Sequence, residues 1–115
     1  MQTVRVRPAP VVLVVSKSPA FVRRCGDVTI QVQSVVVEAS EQSFSTLAVQ
    51  TRALAVVMLE ATFAKNPERY TAMASEAGTR IVTIPDESIA QSDLEAKLLA
   101  AISEAQKANR DRRRT

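Results

Sequence analysis

The residues best placed to do chemistry in this chain are Ser16, Lys17 and Ser18, which directly follow a run of five aliphatic residues. Lys17 between two hydroxyls, just before a proline that starts a helix, could bind an anion, because the first N–H groups of a helix lack partners. Alternatively, Lys17 could form an ion pair with Glu60. The plainer interpretation, which we favour, is that these residues cap helices or face water, since the chain has no glycine-rich phosphate loop.

Composition excludes several kinds of active site. The 115 residues include no histidine and one cysteine, Cys25, so the usual Cys/His zinc sites, Ser-His-Asp or Cys-His catalysis and an internal disulfide are ruled out. We therefore expect a protein that is not an enzyme and that uses no cofactor or metal. Cys25 falls on the apolar side of its helix, which indicates a buried, inert thiol rather than a redox sensor.

The positive charge is concentrated at the carboxyl end. Net charge is +3, and Arg110, Arg112, Arg113 and Arg114 supply much of the excess. This tail could attract nucleic acid, acidic proteins or anionic lipid, but a solubilising end or the start of a linker is the favoured interpretation. The apolar run at 10–15 is too short to cross a bilayer and no signal sequence is evident, which predicts a cytoplasmic protein without a membrane partner.

The apolar pattern predicts alternating strands and helices. Continuous aliphatic runs, typical of strands buried on both faces of a parallel sheet, lie at 11–15 and 53–59. Further strands are expected at 34–38, around three consecutive valines, and at 80–84. Residues 28–32 alternate apolar and polar side chains, so they are interpreted as the beginning of the second strand or as a separate edge strand.

Capping residues and glycines predict four helices, one after each strand. The first should end at Gly26 and the third near Gly78. Tyr70, together with Phe63 and Met73, belongs either to the core or to an exposed docking patch for a partner, and the core is the commoner place for such residues. The predicted helix starts are Ser18-Pro19, Ser40 for a helix over 41–51, Asn66-Pro67, and Ser92 in a capping box.

This order of elements predicts one α/β domain. Strands joined through helices form a mainly parallel sheet with helices on both faces, that is, a three-layer sandwich of four to five strands. We expect the domain to cover residues 1–109 and to be followed by a basic, flexible tail at 110–115.

Three segments resemble bacterial response-regulator receiver domains. Residues 11–24, VVLVVSKSPAFVRR, are similar to the first strand and helix of a receiver, and 35–40 and 53–60 resemble its second and third strands. In that family, acidic residues after the first strand bind Mg²⁺, and an aspartate at the end of the third strand accepts a phosphoryl group. The resemblance covers about 11–60, and a complete receiver has one more strand than is predicted here.

The resemblance implies a degenerate phosphorylation pocket. It assigns Ser16 and Lys17 to the magnesium positions and Leu59, beside Glu60, to the acceptor position. Glu60 could mimic a phosphorylated acceptor, although a carboxylate that faces water or pairs with Lys65 is the commoner outcome. The implied function is a pseudo-receiver for signal transduction that cannot be phosphorylated and acts by binding a protein partner or by forming a homodimer. The alternative is a DNA-associated transcriptional regulator that uses the basic tail.

Overall fold

The fold alternates strands and helices along almost the whole chain. The computed structural model describes residues 10–113, with side chains through Ala108. A short 3-10 helix at Ile30–Val32 follows the first α-helix. The main elements are β1 (Val11–Val15), α1 (Pro19–Thr29), β2 (Val35–Ala39), α2 (Phe44–Thr51), β3 (Ala55–Leu59), α3 (Glu60–Ala64), α4 (Pro67–Glu76), β4 (Ile81–Ile84) and α5 (Gln91–Arg113).

The strands form one four-stranded, all-parallel sheet in the order β2-β1-β3-β4. Helices α1 and α5 pack on one face, and α2 and α4 pack on the other. The predicted α/β class and its three layers are thereby confirmed, with four strands among residues 10–113.

The aliphatic run in β1 supplies both halves of the core. Successive side chains of a strand point to opposite faces of the sheet. Val12 and Val14 therefore pack in the layer shared with α1 and α5, whereas Leu13 and Val15 pack with α2 and α4. A strand covered on both faces needs apolar residues at every position, which explains why β1 lacks a polar alternation.

The predicted strand at 28–32 and the predicted helix end at Gly26 were both wrong. Helix α1 continues through Gly26 to Thr29, because Phe21, Cys25 and Val28 recur at helical spacing and are all buried. Ile30, which suggested a strand, is 72% exposed. The chain turns back toward the sheet only at Gln33, which follows the 3-10 helix and has a left-handed backbone with φ of 58°.

Two other helix starts differ from the prediction. Ser40 accepts a hydrogen bond from the N–H of Ser43 in a turn, so α2 begins at Phe44 rather than at 41. Helix α5 begins at Gln91, which leaves Ser92 inside the helix, and α3 was not predicted at all. The start of α4 is as predicted: Asn66 accepts from the N–H of Arg69, and proline occupies the first helical position. At the other end of α4, the φ of 71° at residue 78 requires the predicted glycine.

The backbone of α5 extends to Arg113, so the helix includes the first four positions of the predicted basic tail. The side chains of Arg110, Arg112 and Arg113, and all of Arg114, lie outside the described residues. The flexibility of the tail and its contacts stay predictions. None of the helices within 10–113 is both long and apolar enough to cross a membrane.

Candidate functional site

A groove of about 730 Å³ lies at the carboxyl edge of the sheet. Residues that follow β1, β2, β3 and β4 contribute to its walls. The chain leaves β1 toward one face of the sheet and β3 toward the other, and this divergence is where parallel α/β sheets open a crevice. The lining includes two lysines, three glutamates and four hydroxyl side chains, so the groove is polar and of mixed charge.

The hydroxyls after β1 are occupied by local hydrogen bonds. Ser18 caps α1 by accepting from the N–H of Phe21 at 3.3 Å. Ser16 accepts from the N–H of Ser18 at 3.0 Å and donates to Glu87 at 3.2 Å. Lys17 is exposed, and among the described side chains no carboxylate lies within ion-pair distance of it. The capping interpretation therefore accounts for Ser16 and Ser18. Lys17 lines the groove without a carboxylate partner among the described side chains.

Leu59 and Glu60, the other two predicted pocket residues, point to different surroundings. Leu59 is half-buried, packs against the core and lines the groove. Glu60 begins α3, is exposed and does not line the groove. Neither the Lys17–Glu60 pair nor the Glu60–Lys65 pair is formed among the described residues. Lys65 instead approaches Glu41, with 3.9 Å between Nζ and Oε1.

Tyr70 belongs to the core rather than to an exposed docking patch. It is only 8% exposed, and its ring lies 6.0 Å from that of Phe44 and 6.4 Å from that of Phe63. Its hydroxyl donates a 2.9 Å hydrogen bond to Glu41 at the rim of the groove. This bond raises the pKa of Tyr70, and burial adds to the effect. The ring fills the space between α2, α3 and α4, in agreement with the core interpretation, and a contact of Tyr70 with a partner stays a prediction.

Arg24 fixes the loop between β4 and α5, which forms one wall of the groove, through hydrogen bonds. Its guanidinium donates to the backbone oxygen of Glu87 at 2.6 Å, to that of Ile89, and to Oε1 of Gln91 at 2.9 Å. The side chain of Gln91 donates back to the carbonyl of Arg24 at 3.3 Å. Neither this clamp nor the Tyr70–Glu41 bond was anticipated, because the partners are far apart in the chain and share no local pattern.

The groove combines cations, carboxylates and hydroxyls without a constellation typical of catalysis. Among the described residues, no group of three or more His, Cys, Asp or Glu side chains is arranged to hold a metal ion. Cys25 does not line the groove, because it is fully buried between the sheet and helices α1 and α5. Burial raises the pKa of its thiol to about 12, which keeps the thiol protonated. No protein-family model, curated protein or solved structure matches this chain.

Proposed function

We propose that this domain is a non-catalytic, receiver-like regulatory module that works in the cytoplasm by binding another protein or a second copy of itself. The observation that carries the proposal is the pairing of Val15 with Met58 across β1 and β3. This register brings Ser16 beside Leu59 at the mouth of the crevice, with Lys17 next along the chain. A phosphorylation pocket at that point needs carboxylates, both as Mg²⁺ ligands and as the acceptor.

The side chains present at this point favour binding over phosphoryl chemistry. Leu59 offers no nucleophilic oxygen, and the cation of Lys17 opposes the binding of a divalent metal. The hydroxyl of Ser16 is already engaged with Glu87 and with the N–H of Ser18. The strand order supports the resemblance, since β2-β1-β3-β4 agrees with the first four positions of the doubly wound order 2-1-3-4-5. Residues 10–113 contain no fifth strand.

Treatment with acetyl phosphate and Mg²⁺, followed by intact-mass spectrometry, tests the proposal. We expect no mass increase of a phosphoryl group, while a receiver with its full set of acidic residues, treated in parallel, gains one. Glu60→Gln and the distant, half-buried Glu95→Gln form a matched pair of variants. A phosphorylated product that is lost in Glu60→Gln but kept in Glu95→Gln would show that the domain performs receiver chemistry, and the proposal would be wrong.

A further inference from the structure

Strand β2 has an outer edge without a hydrogen-bonding partner among the described residues. The N–H of Val35 donates to the carbonyl of Pro10 at 2.9 Å, which begins the ladder with β1. In a parallel ladder the groups that face the neighbouring strand come from alternate residues, so Val37 and Ala39 also turn toward β1. The N–H and C=O groups of Val36 and Glu38 consequently face outward.

This edge has few of the devices that usually prevent strand pairing. Natural edge strands are protected by charged side chains, especially lysine, by proline, by bulges or by short length. Strand β2 pairs with β1 in unbroken register and has one charged residue, Glu38. Val35 at its start is 45% exposed, and the nearby Ile30 is also strongly exposed. The opposite edge, β4, differs because Arg80 precedes it and Pro85 follows it.

We propose that a second copy of this chain pairs with β2 along this edge, antiparallel and about a twofold axis at Val37, so that two sheets become one. The inference rests on the proposed function, of which it specifies the partner. In this register Val36 lies opposite Glu38 of the second copy, and each of these pairs exchanges two backbone hydrogen bonds. Val37 then faces its own counterpart, and Val35 faces Ala39, so one face of the junction is entirely apolar.

Glu38, the charged residue of β2, favours this register and a second copy of β2 as the partner. An axis at Glu38 would place two carboxylates directly opposite each other, which is destabilising. An axis at Val36 would require the N–H of Ser34, which already donates to Thr29 at 3.0 Å. An axis at Val37 avoids both problems, because the only charge of the strand then faces a valine. The strand is thus complementary to itself, and a closed symmetric dimer follows rather than an open fibre.

Sedimentation velocity and light scattering of the full chain provide the first test. We expect a concentration-dependent species of twice 12.5 kDa. Val35→Glu should raise the dissociation constant of the dimer at least tenfold, because the substitution buries a carboxylate at the junction. Val49→Glu is the matched control, since Val49 is 61% exposed on α2, and it should leave association unchanged. A native circular-dichroism spectrum and a cooperative thermal transition in each variant show that both fold.

A cysteine in place of Val37 tests the register. Directly opposed residues of a non-hydrogen-bonded antiparallel pair have Cα atoms about 4.5 Å apart, which suits a disulfide. Under mild oxidation Val37→Cys should therefore form a covalent dimer, whereas Val49→Cys should not. The natural Cys25 does not interfere, because it is fully buried with a pKa of about 12.

The outcomes separate this inference from the proposed function. A chain that is monomeric at every accessible concentration overturns the β2 dimer but leaves binding of another protein intact. A dimer that is insensitive to Val35→Glu, or that requires residues 110–115, overturns the β2 assignment as well. Phosphorylation by acetyl phosphate that is lost in Glu60→Gln but kept in Glu95→Gln instead overturns the proposed function, whatever the oligomeric state.

Discussion

Tyr70 on α4 donates a hydrogen bond of 2.9 Å to Glu41, which belongs to the loop after β2. One end of Tyr70 is thus packed in the core against Phe44, while the other holds the rim of the groove. Lys65 lies 3.9 Å from the same carboxylate, so Glu41 is approached from two elements. The shape of the rim therefore depends on how α4 is docked.

Tyr70→Phe should lower the free energy of unfolding by about 1 kcal/mol and the melting temperature by about 4 °C. The substitution keeps the aromatic ring and removes only the hydroxyl donor. The cost stays modest because Glu41 is 30% exposed and water can replace the lost bond. Thermal denaturation measures the effect. An unchanged melting temperature would indicate that the bond contributes nothing in solution.

The ionisation of Tyr70 should be visible without interference, because it is the only tyrosine in the chain. The hydrogen bond to Glu41 raises the pKa of Tyr70 above its ordinary value of 10, with burial and the charge of Glu41 acting in the same direction. Ultraviolet absorbance of the phenolate should titrate above pH 10, and Glu41→Gln should move the midpoint down toward that value. A midpoint that is unaffected by Glu41→Gln would contradict the assigned cause.

The two glycines should respond to alanine in opposite directions. Gly26 lies inside α1, and an added Cβ would meet no atom within 4 Å, so Gly26→Ala should stabilise the protein by about 0.5–1 kcal/mol. Gly78 has a φ of 71°, so Gly78→Ala should destabilise it by about 1 kcal/mol. Chemical denaturation of both variants checks the signs. Destabilisation by Gly26→Ala would imply that α1 ends where the sequence pattern suggested.

The features that could be predicted from the sequence are those with a local physical cause. The aliphatic run at 11–15 and the Asn66-Pro67 helix start are each determined by neighbouring residues, and both appear as expected. Residues 28–32 were misassigned because Val28 satisfies both an alternating pattern and the helical stripe that begins at Phe21. The buried helical face prevails, since it encloses Val28 completely, whereas the alternating pattern would have buried Ile30.

The polar contacts of the groove were not predictable for a different reason. Arg24 and Gln91 are 67 positions apart, and Tyr70 and Glu41 are 29 apart. Nothing in the spacing of surface polar residues specifies which of them will meet, because that depends on the docking of whole helices. The position of Lys17 directly after β1 was predictable, since strand ends follow directly from the strand assignment.

Arg24→Ala should loosen the loop between β4 and α5. The substitution removes hydrogen bonds to the backbone of Glu87 and Ile89 and to the side chain of Gln91. We expect a loss of about 1–2 kcal/mol and faster hydrogen exchange of the loop amides. The neighbouring Arg23 is exposed, so Arg23→Ala is the matched control and should stay within about 0.5 kcal/mol of the original chain. Equal exchange rates in the two variants would refute the clamp.

Cys25 should resist thiol reagents as long as the protein is folded. It is fully buried, and desolvation raises the pKa of its thiol from 9.0 to about 12, so the reactive thiolate is scarce at neutral pH. Labelling should therefore follow the rate of unfolding and accelerate with added denaturant. Rapid labelling of the native protein would place Cys25 at the surface and would contradict its position in the core.

The same pKa shift predicts how stability depends on pH. The folded state holds the proton of Cys25 more tightly than the unfolded state, so this contribution is complete below pH 9 and is lost as the pH rises toward 12. Between these limits the free energy of unfolding should fall by up to about 1.4 kcal/mol per pH unit on account of this thiol. Tyr70 adds a loss of the same sign above pH 10. The difference between the original chain and Cys25→Ala, measured by urea denaturation at several pH values, isolates the thiol, because Tyr70 is present in both.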